Sequence, residues 1–587
     1  MRKTIIITLI SGYMAISAVN AQSIQEGVNH LYADRFQSAS ATFKKLLALN
    51  PNNIEATYWL GQTYLDMDDN ELARQLYENA LLTSANAPLL LVGKGHVLLL
   101  ENKLTEARQN FETAIAASKG KKGDDPVILN AIGRANIDAK NGDHKYAIEK
   151  LEIAAQRDPK NADIFLNLGN AYRKEGKGDG GGLAYSNYNK ALAINPNFAY
   201  AYLRLAKLFE TQQNWDLVLQ NLMDAIAKDP GFSLAYYELF YYYWWFKQDF
   251  TQAEAMLKKY TDNRPNEDHI EDNYLYSQLC WARKDFDCAI EKAESVARSM
   301  GSKIKPRVYR QLAYSYFGKG SSAIAKGDSA KAKGDYEKAK NNIDVFFLKS
   351  KDGPIPEDFK LKAEILSGLG AADDEIYKVF IDGAALDTIL QSKIDFLNKG
   401  VDFFKAKGNK CLEANLRLVV YNTRKNPKPG ELFFIGLPMY QCGQLNRADS
   451  IFKAYSAALP DSIFGHFWGA RVNSAIDTTM QAGLAVPQYE KTLALASKDM
   501  SRLSSFGIEA AGYLAGYYNN IKSDVTTAIS YINKGLEFDS TNVNLKRTKE
   551  LLDRIQQQNQ SPKKTNGSSP KPTGKLKAKK KAIAVKP

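Results

Sequence analysis

Histidine and cysteine are scarce, with five and four residues among 587. His30, His96, His144, His269 and His466 are scattered and have no Cys or acidic partner at ligand spacing. A histidine-rich metal centre is therefore not expected, and neither is a His-based catalytic constellation. The glycine-rich stretch 177–182 looks superficially like a phosphate loop. No strand precedes it and no Lys-Ser/Thr pair follows, so it reads as a flexible insertion between helices. The acidic turn 66–71 lacks the alternating ligands and glycine of a calcium loop. With 19 Pro and 39 Gly, the chain is neither collagen-like nor of low complexity. After the first twenty residues no apolar run reaches the ~18 residues of a membrane helix. We expect no enzyme, no cofactor and no metal.

What is present is globular material. Hydrophobic residues make up 44% and charged residues 24%, and 32 tyrosines supply a core. The length is too great for one compact core and implies several domains or a repeat array. The net charge of +13 sits at the ends. Residues 556–587 hold nine Lys and no acid, and Arg2 and Lys3 add two more charges, which leaves the body near neutral.

Residues 1–21 have the pattern of a secretory signal. A basic start is followed by an apolar run over 5–19, then by the small residues of Val19-Asn20-Ala21. Cleavage after Ala21 is expected, leaving no transmembrane span. Export would make disulfides possible for the four Cys, with buried free thiols as the alternative.

Self-comparison shows a repeat of 34 residues. Gly27, Gly61 and Gly95 keep that spacing, as do Ala39, Ala73 and Ala107, and Phe43, Tyr77 and Phe111. Pro159, Pro196, Pro230 and Pro265 each close a unit. Each unit carries helical periodicity on both halves, so it predicts two antiparallel helices. Gly in the first helix and Ala in the second permit close approach, and the aromatic after that Ala fills the gap between neighbouring units. One hairpin cannot bury its apolar face alone, so the units must stack.

The pattern resembles the tetratricopeptide repeat. Leu60-Gly61, Tyr64, Ala73, Tyr77 and Ala80 fit that family's consensus, and Leu168-Gly169, Tyr172, Ala184, Tyr188, Ala191 and Pro196 fit it better. The family's Trp is absent from both, with Thr57 and Phe165 at or beside its place. The resemblance implies an all-α fold, a right-handed α-solenoid with a concave groove lined by first helices. It places an N-terminal array over 22–352 and a more divergent array over 353–555, while composition reads 556–587 as a disordered Lys-rich tail. The break is taken from the turn-forming residues 351–356. The hairpin topology puts Cys280 and Cys288 at one shared edge, and Cys411 and Cys442 at another, so these pairs are the candidate disulfides.

Family register also places the candidate groove. It implies that Asn130, Arg134, Asn167, Asn170, Arg173, Lys174, Arg204 and Lys207 line or border it. Asn can bond a peptide backbone, and Arg or Lys can hold a carboxylate. Asn167 and Arg204 fall on two positions of the family's carboxylate clamp, whereas Asn130, Arg134 and Tyr200 depart from it. The segment 236–246 is crowded with rings on every side, and Tyr242, Trp245 and Phe246 take the groove-facing register. It reads either as a thick core or as a set of anchors for a ligand.

The expected function is an exported scaffold of the bacterial envelope that binds a protein or peptide segment in its groove. The alternative is an envelope glycan-binding or peptidoglycan-processing solenoid. The basic tail suits anionic lipid or an envelope polymer, or simply solubilises the chain; nucleic acid is not an expected partner. Six Asp-Ser/Thr-apolar triplets, Asp449-Ser450-Ile451 among them, resemble O-glycan acceptors of exported Bacteroidota proteins.

Overall fold

The computed structural model describes residues 24–176, 180–351 and 353–560. The expected leader, 1–21, lies outside them, and so does the tail from 561 onward. Residues 556–560, assigned from sequence to the tail, instead continue the helix Val543–Gln560. Ile555 packs on the preceding helix, and Gln556 donates to Thr526 Oγ1 at 3.2 Å, which carries the helix past the expected boundary.

The chain divides into two compact units, with the boundary between Lys319 and Gly320. The break expected at 352/353 falls inside the second unit. The helices on either side of it pack together, with Phe347 and Phe359 edge to face at 4.8 Å and Lys362 bound to Asp344 at 2.8 Å. A Pro/Gly-rich connection thus marks a turn here, not a domain boundary.

The first unit is built of helix pairs. They are α1 (24–32) with α2 (Phe36–Leu49), α3 (Ile54–Asp66) with α4 (Asn70–Thr83), and α5 (Pro88–Leu100) with α6 (Leu104–Ser118). Then come α7 (Pro126–Asp138) with α8 (His144–Arg157), α9 (Ala162–Glu175) with α10 (Gly180–Ile194), and α11 (Ala199–Thr211) with α12 (Trp215–Lys228). The last pairs are α13 (Ser233–Tyr241) with α14 (Phe250–Asp262) and α15 (Ile270–Ala282) with α16 (Phe286–Met300). Among the described residues the only β pairing is an isolated bridge between Gly120 and Gly123.

The 34-residue period has a backbone cause. Asp34, Asp68 and Asn102, at the turns within successive pairs, all take left-handed φ values near 60°. Asp and Asn tolerate that region better than other residues with a side chain. The next residue but one opens the second helix, and Asp69 caps α4 by accepting from Leu72 N. The glycines do steric work: a Cβ on Gly61 would lie 2.2 Å from the Tyr77 ring, and one on Gly93 2.4 Å from it. Tyr77 therefore packs both within its own pair and against the next, not only between units. The expected insertion is shorter than the sequence suggested, because Gly180, Gly181 and Gly182 form the first turn of α10.

The second unit is also helical throughout its described residues. Its clearest repeat pairs helices Phe433–Gln441 and Leu445–Ala458, with Phe452 packed under Gly436. Two disulfides are present. Cys280 and Cys288 bridge the α15–α16 turn with Cα atoms 5.8 Å apart. Cys411 and Cys442, 5.5 Å apart, join helix Lys410–Thr423 to the end of helix Phe433–Gln441.

Candidate functional site: a polar seam and an aromatic pocket

The first helices α7, α9 and α11 do bring the predicted polar residues together. Asn130 and Arg134 lie one turn apart on α7, and Asn167 faces them from α9. The residue that organises them is one that sequence register passed over, Asp163 in the first turn of α9. Its Oδ2 accepts from Asn130 Nδ2 at 2.7 Å, Arg134 Nη2 at 2.5 Å and Asn167 Nδ2 at 3.2 Å. Its Oδ1 accepts from the Tyr32 hydroxyl, which comes from α1. Tyr32 in turn accepts from Arg134 at 2.8 Å and stacks on Tyr200 at 4.9 Å.

The electrostatics follow from this burial. Burial alone would weaken the Arg134 charge, but Asp163 outweighs it and holds the guanidinium protonated. Burial pushes the Tyr32 phenol well above its ordinary value, so it remains a donor. Asn170 accepts from Tyr188 at 2.9 Å and from Arg204 Nε at 2.6 Å. Lys174 donates to the Ile137 carbonyl. Arg173 is half-buried, and its pKa is lowered first by that burial and then by Arg204.

The groove of the first unit is thus crossed by its own first helix. Asn130, Arg134, Asn167 and Asn170, expected to line or border the groove, each have a partner within the chain, and Asn130 and Arg134 also face the cavity. The crossing is held at several further points. Ser233 donates to the Ala33 carbonyl, and Tyr260 to Asp34 Oδ2 at 2.9 Å. Glu267 accepts from Gln37 N at 2.7 Å, and from Ser38 N and Oγ at 2.9 Å each, so it caps the start of α2 from 230 residues away. The seam itself borders a cavity of about 810 Å³, whose lining includes Tyr32, Asn130, Arg134, Asp163 and Tyr200.

The aromatic segment behaves differently. After Tyr241 the helix widens into a π-helical turn, Tyr242–Lys247, a form that recurs at functional sites. Tyr242 is buried, but Trp245 is 71% and Phe246 41% exposed. Phe246 stacks on Trp215 of α12 at 4.6 Å. These rings border a pocket of about 480 Å³, whose polar wall is Lys207, Glu210 and Glu238. Lys207 binds Glu210 at 2.6 Å and Glu238 at 3.0 Å. Burial raises the Glu238 carboxyl and Lys207 opposes the rise. Trp215 and Glu238, which complete this pocket, were not singled out from sequence; Trp215 sits on a second helix, where family register does not look for ligand contacts.

Among the described residues, no cluster of three or more His, Cys, Asp or Glu is placed to hold a metal. No described helix is long and apolar enough to cross a membrane.

Comparison with known proteins agrees with this packing. Two family models described as tetratricopeptide repeat match residues 30–94 and 132–187. These two stretches are tetratricopeptide repeats. A curated relative, the bifunctional subunit NrfFG of the formate-dependent nitrite reductase complex of Haemophilus influenzae, is 36% identical over 93 residues, 16% of this chain and 24% of its own. Tetratricopeptide repeat protein 8 of Caenorhabditis elegans is 28% identical over 149 residues, 24% of this chain and 28% of its own. The chain spans about a quarter of the length of these curated relatives. Among solved structures, the C-terminal part of a TPR repeat-containing protein from Cytophaga hutchinsonii is 24% identical, covering 46% of this chain and 97% of that one, with a TM-score of 0.25. The helix pairs of the first unit supply both the seam and the pocket.

Proposed function

We propose that this chain is an exported tetratricopeptide-repeat scaffold of the bacterial envelope, and that it holds a segment of a partner protein at the aromatic pocket of its first unit. The observation that carries the reading is the pocket beside Trp245. Large rings left in water next to a concave, partly apolar surface are the usual mark of a binding site. The seam around Asp163 shapes the unit, and the pocket meets the partner. Export is supported by the pattern of residues 1–21 and by two disulfides, which persist in oxidising compartments. The Lys-rich tail would rest against anionic lipid or envelope polymer.

The test is photo-crosslinking in intact cells from a probe placed at Phe246, followed by mass spectrometry and fractionation. Envelope proteins joined to that position, in a periplasmic chain lacking residues 1–21, are the expected result. A chain retained in the cytoplasm, or one that crosslinks to nothing, overturns it. Release of muropeptides from purified peptidoglycan would favour a glycan-processing role instead.

A further inference from the structure

The pocket has a charge as well as a shape. Lys207 is shared by two carboxylates, Glu210 at 2.6 Å and Glu238 at 3.0 Å, so the charged lining of the pocket is two acids to one base. Arg204 does not border the pocket and donates to the neutral Asn170, and Arg307 is paired with Glu271. Around the two acids of the pocket stand Trp215, Tyr237, Tyr241, Tyr242, Trp245 and Phe246. The face of each ring carries negative electrostatic potential, and a cation above it is attracted, most strongly over Trp. The chain shows this attraction itself, with Lys247 Nζ 4.8 Å from the Phe246 centroid and 5.7 Å from that of Tyr242.

Resting on the reading of this pocket as the partner site, we propose that it receives a cationic side chain of the partner segment, an Arg or Lys, with its stem along Trp245 and its charge toward Glu238 and Glu210. A carboxylate would meet a negative wall. A neutral apolar side chain would displace water from Glu238 without replacing its hydrogen bonds, a desolvation cost the cation avoids. The preference is thus opposite in sign to that of a carboxylate clamp.

The test titrates the full chain, by calorimetry, with acetylated and amidated nine-residue Gly/Ser peptides carrying one central Arg. A second peptide carries norleucine at that position, which keeps an apolar stem and removes the charge. The Arg peptide should bind about three- to thirtyfold more tightly than the norleucine peptide, the range expected of a desolvated cation–π contact. Trp245→Ala should remove most of that preference; Trp245 is largely exposed, so the variant should fold like the parent, which circular dichroism checks. Glu238→Gln should reduce the preference further toward unity. Equal or tighter binding of the norleucine peptide, undiminished Arg preference in Trp245→Ala, or no binding of the Arg peptide at millimolar concentration would each overturn the assignment. A partner crosslinked at Phe246 with no Arg preference in the titration would leave the scaffold reading standing and remove this one.

Discussion

The seam around Asp163 and the pocket beside Trp245 are made of the same materials. Both place polar and aromatic side chains on consecutive first helices of the first unit, and both fall on the register that faces the groove. They differ in what crosses them. At the seam, α1 returns across the unit and Tyr32 inserts between Asp163 and Tyr200, so Asn130, Arg134 and Asn167 bond within the chain. At the pocket nothing described in the first unit hides Trp245. Residue type and helical register therefore identify an inward face, while contacts between distant segments decide whether its side chains are already bonded within the chain.

The comparison can be broken first at Asp163. Asp163→Ala removes the acceptor shared by Asn130, Arg134, Asn167 and Tyr32, leaving a buried guanidinium unpaired. A loss of about 3–5 kcal/mol is expected by urea denaturation, with faster amide exchange in α1. A loss below about 1 kcal/mol would mean that the seam is solvated and open.

A second probe asks whether an inward polar position away from the seam is dry. His96 on α5 is 4% exposed and donates from Nδ1 to Gln62 Oε1 at 3.0 Å. Burial, with Arg134 as the lesser cause, pushes its pKa down to about 4. Between pH 6.5 and 4 the unfolded chain binds a proton that the folded chain refuses, so stability should fall as the pH is lowered. The loss should level off at about 3 kcal/mol below pH 4. A stability–pH curve that His96→Gln does not flatten in this window would refute a dry site.

Glu267→Gln should have a smaller effect, about 1–2 kcal/mol. It keeps one acceptor but weakens the bonds from Gln37 N and Ser38. Hydrogen exchange should rise in α1 and α2 ahead of the rest of the first unit. The smallest change is expected of Trp245→Ala. Its stability should stay within about 0.5 kcal/mol of the parent while peptide binding drops, because an exposed ring contributes little to folding. A large destabilisation would place Trp245 in the core and erase the contrast with the seam.

The helix pairs were legible in the sequence because their cause is local. The spacing of Gly61 to Tyr77 and of Gly95 to Phe111 encodes a close approach within a single pair. The crossed groove was not legible, because Tyr32 and Asp163 are 131 residues apart and no short window contains both. The rings at 236–246 were readable as a group, but their division into buried Tyr242 and exposed Trp245 depends on the π-helical turn, which has no distinct composition. The unit boundary was misplaced for a related reason. Pro and Gly report a turn in the backbone, and only the packing of Phe347 on Phe359 shows that the helices continue together across it.

The carboxylate of Glu267 on the start of α2 also bears on the order in which the chain acquires structure. An ordinary repeat array can add units one after another as it emerges, each new unit resting on the last. Here the first N–H groups of α2 find their acceptor in a residue 230 positions later. That long separation raises the loop-closure cost of this contact and makes it a late step. The contacts of Tyr32 need only Arg134, Asp163 and Tyr200, so a truncation before Asp163 should yield a sticky, protease-sensitive fragment instead of a shorter stable array.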